Sequence, residues 1–568
     1  MKTFLQQIFN KIEKLDNYTS SYIKYSHNIE IPALAYTNWA VHLAELEDYN
    51  AAIEKLETAI LMSGQNPKPC IILGVIYAKI REYEKAEDIL NLAIKKDFQN
   101  SYTYSVLSSV LVATGKYNEA EDILKKGLKL SPNNAELYLN YGILYTKLQK
   151  KFKAIEMLKK AKFLNPANFH SYFLLGVMYY ETDQINESFC EFKQLENLDP
   201  NYKKLNYYLA ICYKREKNYM AVLEYAQRAV EEDPDNPIVY VLLAQNYLNL
   251  NKTQECLNVY ENAQKKNIGD FGFYLSWGIV LTKLQDIKNA KDKINKALSI
   301  KPENSDALYR MGVCLYKEGD NENAKKYYDK AIKSDSKNSL AYSDLGILYY
   351  DLQKYDEAIS CFQRAINLSA ENSHLYFYIA NSHYKQNHIK RSIEYYEKTI
   401  EYYPRHIEAH INCAVSFLDI NNTKDALRKI RSAYQIDRES TKVILIYALT
   451  CLKSGLFNDA AEKTDIILKK DPENKEAKLI KAHCLINLNK VHEAINLLCS
   501  IPEEEKSSVL FVYLNYLAYR TLVEEEPSNY NESMLNLYAA KLDELKSNNQ
   551  SENKVSAYVN HTLNINKG

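Results

Sequence analysis

The sequence has no excess of charge, no paired cysteine motif and no long apolar run. Lysine plus arginine and aspartate plus glutamate both number 72, so no overall field favours nucleic acid or an anionic membrane. The ten cysteines show no C-x-x-C pairing, and we expect buried thiols in a reducing compartment. No run of eighteen apolar residues predicts a transmembrane helix, and the first residues lack the long apolar core of a signal peptide. We therefore expect a cytoplasmic protein.

Motifs for catalysis are also missing. The sequence contains neither a glycine-rich phosphate loop nor a nucleophile elbow. His406 and His410 have the i, i+4 spacing of two metal ligands on a helix, but no third ligand is suggested, and we interpret them as surface histidines. We expect no enzyme activity, no cofactor and no metal.

The stretch Ser339–Asn372 reads as a pair of amphipathic helices. Apolar residues recur at helical spacing and predict one helix over Leu340–Leu352 and a second over Tyr355–Leu368, with a turn at Gln353–Lys354. Gly346 lies inside the first helix, where glycine costs about 1 kcal/mol relative to alanine. Its presence there indicates close packing against another helix.

Small residues recur at a period of 34 through most of the chain. Steps of 34 from Gly346 reach only Gly, Ala or Ser, from Ala40 to Ala482. Steps from Ala358 reach small Ala or Ser from Ala52 to Ala494, apart from Val222 and Cys256. A proline track ends many of these units, because proline stops the second helix: Pro132, Pro166, Pro200, Pro234, Pro302, Pro404 and Pro472.

These tracks resemble the tetratricopeptide repeat family, whose units have 34 residues with small residues and a proline at the same places. The resemblance covers about fourteen repeats, which we number along the chain from Ala33. It implies an all-α fold: a right-handed superhelical α-solenoid of stacked helix–turn–helix repeats. The first helices of the repeats would line the concave face.

The chain is accordingly divided into four parts. We expect residues 1–32 to form a capping helix and linker, 33–508 the repeats, 509–546 two C-terminal capping helices, and 547–568 a disordered polar tail. For the helix Met1–Lys14, an interfacial membrane anchor is a weaker alternative. The parts outside the repeats are too short for a catalytic domain with its own core.

The resemblance implies that the fifth, ninth, twelfth and thirteenth positions of each repeat line a groove. The groove would have an apolar, tyrosine-rich floor and an intermittent row of lysines. Each buried apolar contact contributes about 1.5–3 kcal/mol, whereas an exposed ion pair contributes about 0–1 kcal/mol, so apolar anchors should dominate. Tight winding that buries these side chains is the alternative. The candidate residues are Phe173, Tyr180, Tyr207, Tyr309, Tyr316, Tyr350, Phe377 and Tyr384, with Lys317 and Lys385.

Three further candidates come from a carboxylate-binding motif of some family members. Asn381, Asn412 and Lys442 occupy three of its five places, and Phe377 and Ile446 occupy the other two. Without two of its three cations the motif loses much of its charge-assisted hydrogen bonding. A carboxamide pair that binds a peptide backbone is the more modest interpretation.

Three functions fit this sequence. The favoured one is a non-catalytic scaffold or adaptor that binds peptide segments of partner proteins in the groove. A chaperone-like holder of apolar segments in secretion or complex assembly is the alternative. A helical-repeat RNA-binding protein is disfavoured by the zero net charge and by the lack of a base-reading pattern. Homo-oligomerisation is left open.

Overall fold

The computed structural model describes residues 30–369, 373–502 and 508–548, which form thirty α-helices and no strand. The predicted helix Met1–Lys14 and the tail beyond residue 548 lie outside these residues. The chain divides into two compact units, one ending at Phe273 and the other beginning at Tyr274.

The helices up to the end of the first compact unit form seven pairs. Their bounds are α1 Glu30–Glu45, α2 Tyr49–Met62, α3 Lys68–Lys79, α4 Tyr83–Lys96, α5 Ser101–Ala113, α6 Tyr117–Leu130, α7 Ala135–Lys147, α8 Lys151–Leu164, α9 Phe169–Glu181, α10 Ile185–Leu198, α11 Leu205–Arg215, α12 Tyr219–Glu232, α13 Pro237–Asn249 and α14 Thr253–Lys265. From α1 to α14, consecutive helices pack against each other.

The second compact unit continues the same alternation. Its helices are α15 Phe271–Lys283 (which begins just before the unit), α16 Ile287–Ile300, α17 Ser305–Lys317, α18 Asn321–Ser334, α19 Ser339–Asp351, α20 Tyr355–Leu368, α21 Ser373–Lys385, α22 Ile389–Tyr402, α23 Ile407–Asp419, α24 Thr423–Ile436, α25 Thr441–Lys453, α26 Phe457–Lys470, α27 Lys475–Asn487, α28 Val491–Cys499, α29 Val509–Glu525 and α30 Asn529–Asn548. From α16 onward each helix again packs against its successor. The expected all-α solenoid of stacked helix pairs is confirmed.

Local sequence signals explain where the helices begin. An asparagine caps the first helix of seven repeats, because its side-chain oxygen accepts a backbone N–H of the first turn. Asn338, for example, accepts from the Ala341 N–H at 3.0 Å. The seven are Asn100, Asn134, Asn168, Asn236, Asn304, Asn338 and Asn474. Ser440 and His406 take this place in two further repeats.

A left-handed residue separates the two helices of every repeat. At Gln353, with a φ of 59°, the chain turns, and the next N–H, of Lys354, bonds back to the Tyr349 carbonyl at 2.8 Å. This bond gives a donor to one of the carbonyl oxygens that would otherwise lack a partner at the end of the first helix. The positive-φ residues recur every 34 residues: Glu47, Arg81, Gly115, Gln149, Asp183, Lys217, Asn251, Gln285, Gly319, Gln353, Asn387, Asn421, Gly455 and Asn489.

The small-residue tracks form the centre of the core. Every residue of the track through Ala358, including Ser188, Val222 and Cys256, is 0% exposed. Every residue of the track through Gly346 is buried as well. The small side chains therefore lie at the helix contacts, as their spacing predicts.

The cysteines and the C-terminal helices add two details. Seven of the ten cysteines are buried and none forms a disulfide, while Cys190 and Cys499 are exposed.

The helix predicted after Ser508 is α29, and the one predicted over Met534–Leu545 is the longer α30, which begins at Asn529 and continues to Asn548. In the described part of the chain, no helix is long and apolar enough to cross a membrane.

Candidate functional site

A cavity of about 200 Å³ lies on the second compact unit, among residues of repeats ten to thirteen. It is bounded mainly by the first helices α19, α21, α23 and α25, and one residue comes from the second helix α22. Its lining residues are Tyr350, Phe377, Asn381, Tyr384, Lys385, Tyr396, Glu408, Asn412, Val415 and Lys442. The lining thus combines aromatic rings, two carboxamides and three charged side chains.

The two carboxamides are hydrogen-bonded to each other, and a buried tyrosine holds one of them. The Oδ1 atom of Asn381 accepts a hydrogen bond from the Tyr396 hydroxyl at 2.6 Å and a second from Asn412 Nδ2 at 3.3 Å. Tyr396 is 1% exposed, and burial raises its pKa well above the ordinary value, so the phenol keeps its proton and donates.

These bonds leave a defined pair of groups unused. Among the described residues, Asn381 Nδ2 and Asn412 Oδ1 have no hydrogen-bond partner. One is a donor and the other an acceptor. Exchanging oxygen and nitrogen in both carboxamides would again leave one donor and one acceptor. The pair therefore matches the backbone N–H and C=O of one residue in an extended segment, which point to the same side.

The charged residues at the cavity are Lys385, Lys442 and Glu408, all exposed. Within the described residues neither lysine forms an ion pair. The Glu408 carboxylate lies 3.6 Å from the Nδ1 atom of His406. That nitrogen accepts the Ala409 N–H at 3.2 Å, so it carries no proton and the contact with Glu408 is not an ion pair. The cavity lining has a net charge of +1.

Seven of the thirteen predicted site residues line this one cavity. They are Tyr350, Phe377, Asn381, Tyr384, Lys385, Asn412 and Lys442. At the two remaining places of the carboxylate-binding motif, Phe377 is half-buried and Ile446 is 0% exposed. The cations required there by the motif are missing, as the sequence indicates.

The other six predicted residues lie outside the cavity. Tyr309 is only 6% exposed, and its hydroxyl donates to Asp344 at 2.8 Å. The Tyr316 hydroxyl donates to Asp351, and Lys317 donates to Gln285 at 3.4 Å. Tyr309 is therefore buried between helices, as the alternative of tight winding predicts, and does not lie on the floor of a groove.

The remaining three belong to the first compact unit. Phe173 packs against the rings of Tyr202 and Tyr208, with ring centroids 5.1 and 5.2 Å apart. The ring centroids of Tyr207 and Tyr208 are 5.3 Å apart, and Tyr180 lies partly buried against the same cluster. These half-buried rings pack against other residues of their own unit.

Sequence reasoning missed three lining residues: Tyr396, Glu408 and Val415. Val415 is at the ninth position of its repeat, which was expected to line the groove, but it was not named among the candidate residues. Tyr396 belongs to a second helix, and only its length allows its hydroxyl to reach Asn381. Nothing in the repeat pattern marks Glu408.

The interpretation of His406 and His410 as surface histidines is wrong, because both side chains are buried and bonded to the backbone. His406 is 7% exposed and caps α23 through its Nδ1 atom. His410 is 5% exposed, and its Nε2 atom bonds with the Pro404 carbonyl at 2.9 Å. In the part of the chain that is described, no group of three or more His, Cys, Asp or Glu side chains could hold a metal ion.

Family models match four stretches of the chain. Three models, each described as tetratricopeptide repeat, match residues 43–109 and 111–188, 303–371, and 377–441. The chain is a tetratricopeptide repeat protein. A search of curated proteins finds no significant match.

Three solved structures illustrate what this tetratricopeptide repeat protein is similar to. The crystal structure of the APC/C hetero-tetramer Cut9–Hcn1 is 16% identical, with a TM-score of 0.37, covering 82% of this chain and 98% of the other. YrrB, described as a TPR protein with an unusual peptide-binding site, is 21% identical, with a TM-score of 0.30 over 32% of this chain and 95% of its own. Pseudomonas aeruginosa PilF is 20% identical, with a TM-score of 0.34 over 37% and 96%.

Proposed function

We propose that this protein is a non-catalytic scaffold that binds an extended peptide segment of a partner protein at the cavity around Asn381 and Asn412. The observation that carries the proposal is the unused donor and acceptor on two carboxamides held together by one hydrogen bond. An internal residue of an extended segment satisfies both groups with its own N–H and C=O, whereas a carboxylate offers only acceptors. A chain terminus is therefore a poorer ligand here than the middle of a segment.

The size of the cavity favours the same kind of ligand. Its volume of about 200 Å³ is smaller than the roughly 300–1,000 Å³ of typical small-molecule pockets. It suits one side chain together with its peptide unit. The rings of Tyr350, Phe377 and Tyr384 supply apolar contact beside the carboxamides. Apolar burial would give affinity, and the carboxamide pair would fix the direction of the segment.

The polar lining separates this proposal from a general holder of apolar segments. A holder that accepts any apolar peptide needs no fixed donor and acceptor. Tyr396 holds the Asn381 carboxamide in one orientation from a fully buried position. Such pre-organisation favours ligands with one backbone geometry.

The test is a selection of random dodecapeptides displayed on phage against the full chain, followed by affinity measurements with synthetic peptides. We expect Asn381→Ala and Asn412→Ala each to weaken binding about tenfold, since each removes a hydrogen bond to the ligand. Asn140→Ala is the matched control, because Asn140 occupies the same repeat position as Asn412 but its Nδ2 is engaged by Ser105 and Ser108. Selected peptides that bind both carboxamide variants as tightly as the parent would refute the proposal.

A further inference from the structure

Tyrosine–aspartate hydrogen bonds link successive repeats beside the cavity. The Tyr316 hydroxyl donates to Asp351, and the Tyr384 hydroxyl donates to Asp419 at 2.8 Å. In each pair the aspartate follows the tyrosine by 35 residues, which is one repeat plus one position. The two pairs lie two repeats apart.

The repeat between them breaks the pattern. Tyr350 stands at the tyrosine position, but the residue 35 places later is Lys385 instead of aspartate. Both side chains line the cavity. Among the described residues, the Tyr350 hydroxyl has no hydrogen-bond partner and Lys385 has no ion pair. Two residues with donor groups, a hydroxyl and an ammonium, therefore line one cavity without the aspartate that the neighbouring repeats have at this place.

We propose that a bound peptide supplies the missing carboxylate: an aspartate or glutamate side chain of the ligand accepts hydrogen bonds from Tyr350 and Lys385. This inference rests on the proposed peptide-binding function, and it adds a required acidic residue to the ligand. Since the carboxamide pair selects the N–H and C=O of an internal residue, we assign the acidic group to a side chain and not to a chain terminus.

The surrounding charges agree with an acidic ligand. Lys442 adds a second cation to the cavity lining, and Glu408 is the only carboxylate among the lining residues. Asp351 and Asp419, which belong to the flanking pairs, already accept hydrogen bonds from Tyr316 and Tyr384. Burial raises the pKa of Tyr350 to about 12, so at neutral pH its hydroxyl keeps the proton it would donate.

The experiment uses peptides selected on the full chain, resynthesised with amidated C-termini so that only side chains carry carboxylates. We expect an Asp or Glu at one fixed distance from the apolar anchor. Changing that residue to Asn or Gln should weaken binding to the parent chain about tenfold. The variant Lys385→Asp restores the aspartate of the flanking repeats. Its affinity for the peptide should not depend on whether the peptide carries the acidic residue or its amide. Tyr350→Phe should weaken binding of the acidic peptide severalfold.

Lys147→Asp is the matched control. Lys147 is exposed at the same repeat position in the first compact unit, so this variant should bind the acidic peptide like the parent. Selected peptides without a fixed acidic residue, or equal binding by Lys385→Asp, would overturn this inference. If Asn412→Ala still weakens the binding of those peptides, only this inference fails and the proposed function stands. If it does not, the proposed function fails as well.

Discussion

The backbone of Gly346 lies directly against the ring of Phe362 in the second helix of the same repeat. A Cβ atom added at Gly346 would be 2.6 Å from Cε1 of that ring. The same relationship, between a glycine and the side chain sixteen residues later, recurs at Gly312 with Tyr328. The glycines of the 34-residue track therefore make room for a large side chain of the paired helix.

Gly346→Ala should destabilise the chain. The added methyl group meets a fully buried ring, and overpacking of this kind costs about 1–3 kcal/mol, more than the helix propensity that alanine gains. Gly272→Ala is the control, because the nearest atom to its Cβ would be 3.5 Å away. Thermal unfolding of both variants would check this, with a lower midpoint only for Gly346→Ala. Equal midpoints would show that the ring moves aside without cost.

The Tyr396 hydroxyl should matter for binding more than for folding. Tyr396→Phe removes the hydrogen bond that orients the Asn381 carboxamide, so peptide affinity should fall severalfold. Tyr328 occupies the same repeat position two repeats earlier, and its buried hydroxyl has no partner among the described residues. Tyr328→Phe is therefore the matched control and should leave affinity unchanged and stability equal or higher. Equal peptide affinities of Tyr396→Phe and the parent would contradict this role.

Most of the fold can be predicted from the 34-residue period. The helices expected at Leu340–Leu352 and Tyr355–Leu368 are Ser339–Asp351 and Tyr355–Leu368, because apolar spacing and small residues fix both the helices and their contact. The left-handed residues also recur with this period, but only three of the fourteen are glycine. The types of residue at this position therefore gave little signal.

The site is only partly predictable, because repeat position does not show which polar groups are already satisfied. Tyr309 and Phe377 are equivalent positions two repeats apart, as are Asp344 and Asn412. The Tyr309 hydroxyl donates to Asp344, whereas Phe377 has no hydroxyl to donate to Asn412, which lines the cavity. Two small side-chain differences thus separate a packed contact from an accessible one, and only the structure shows the outcome.

Asp344→Asn should be neutral or stabilising at pH 7. Burial raises the pKa of Asp344, so its ionised form costs stability that is regained as the pH falls through that raised pKa. Asparagine removes the charge and keeps an oxygen that accepts from Tyr309. Asp344→Ala removes the acceptor as well and should cost about 1–3 kcal/mol. Asp351→Asn, at an exposed site, is the control for the tyrosine–aspartate bond itself. Urea unfolding would check these, and a loss above about 1 kcal/mol in Asp344→Asn would contradict the burial argument.

The stability of the second compact unit should fall as the pH drops below about 6.5, partly through His406. Burial lowers the pKa of His406, an effect that Glu408 partly offsets, while the Nδ1 atom caps α23. Below the pKa of the unfolded state, His406 binds a proton in the unfolded chain but not in the folded chain. Lowering the pH therefore favours unfolding until the lowered pKa of the folded state is passed. The groups facing His406 are His374, Phe377, Tyr403, Glu408 and His410.

His406→Asn tests this origin of the pH dependence. Asparagine caps the first helix in seven other repeats and does not titrate, so the cap should survive at pH 5.5. Thermal unfolding at pH 7.5 and 5.5 should show a smaller drop for the variant, by about 1 kcal/mol, the usual contribution of a cap. A drop remains, because burial also lowers the pKa of His383, His410 and His483. If variant and parent lost the same stability, the cap at His406 would not be the group that acid disrupts.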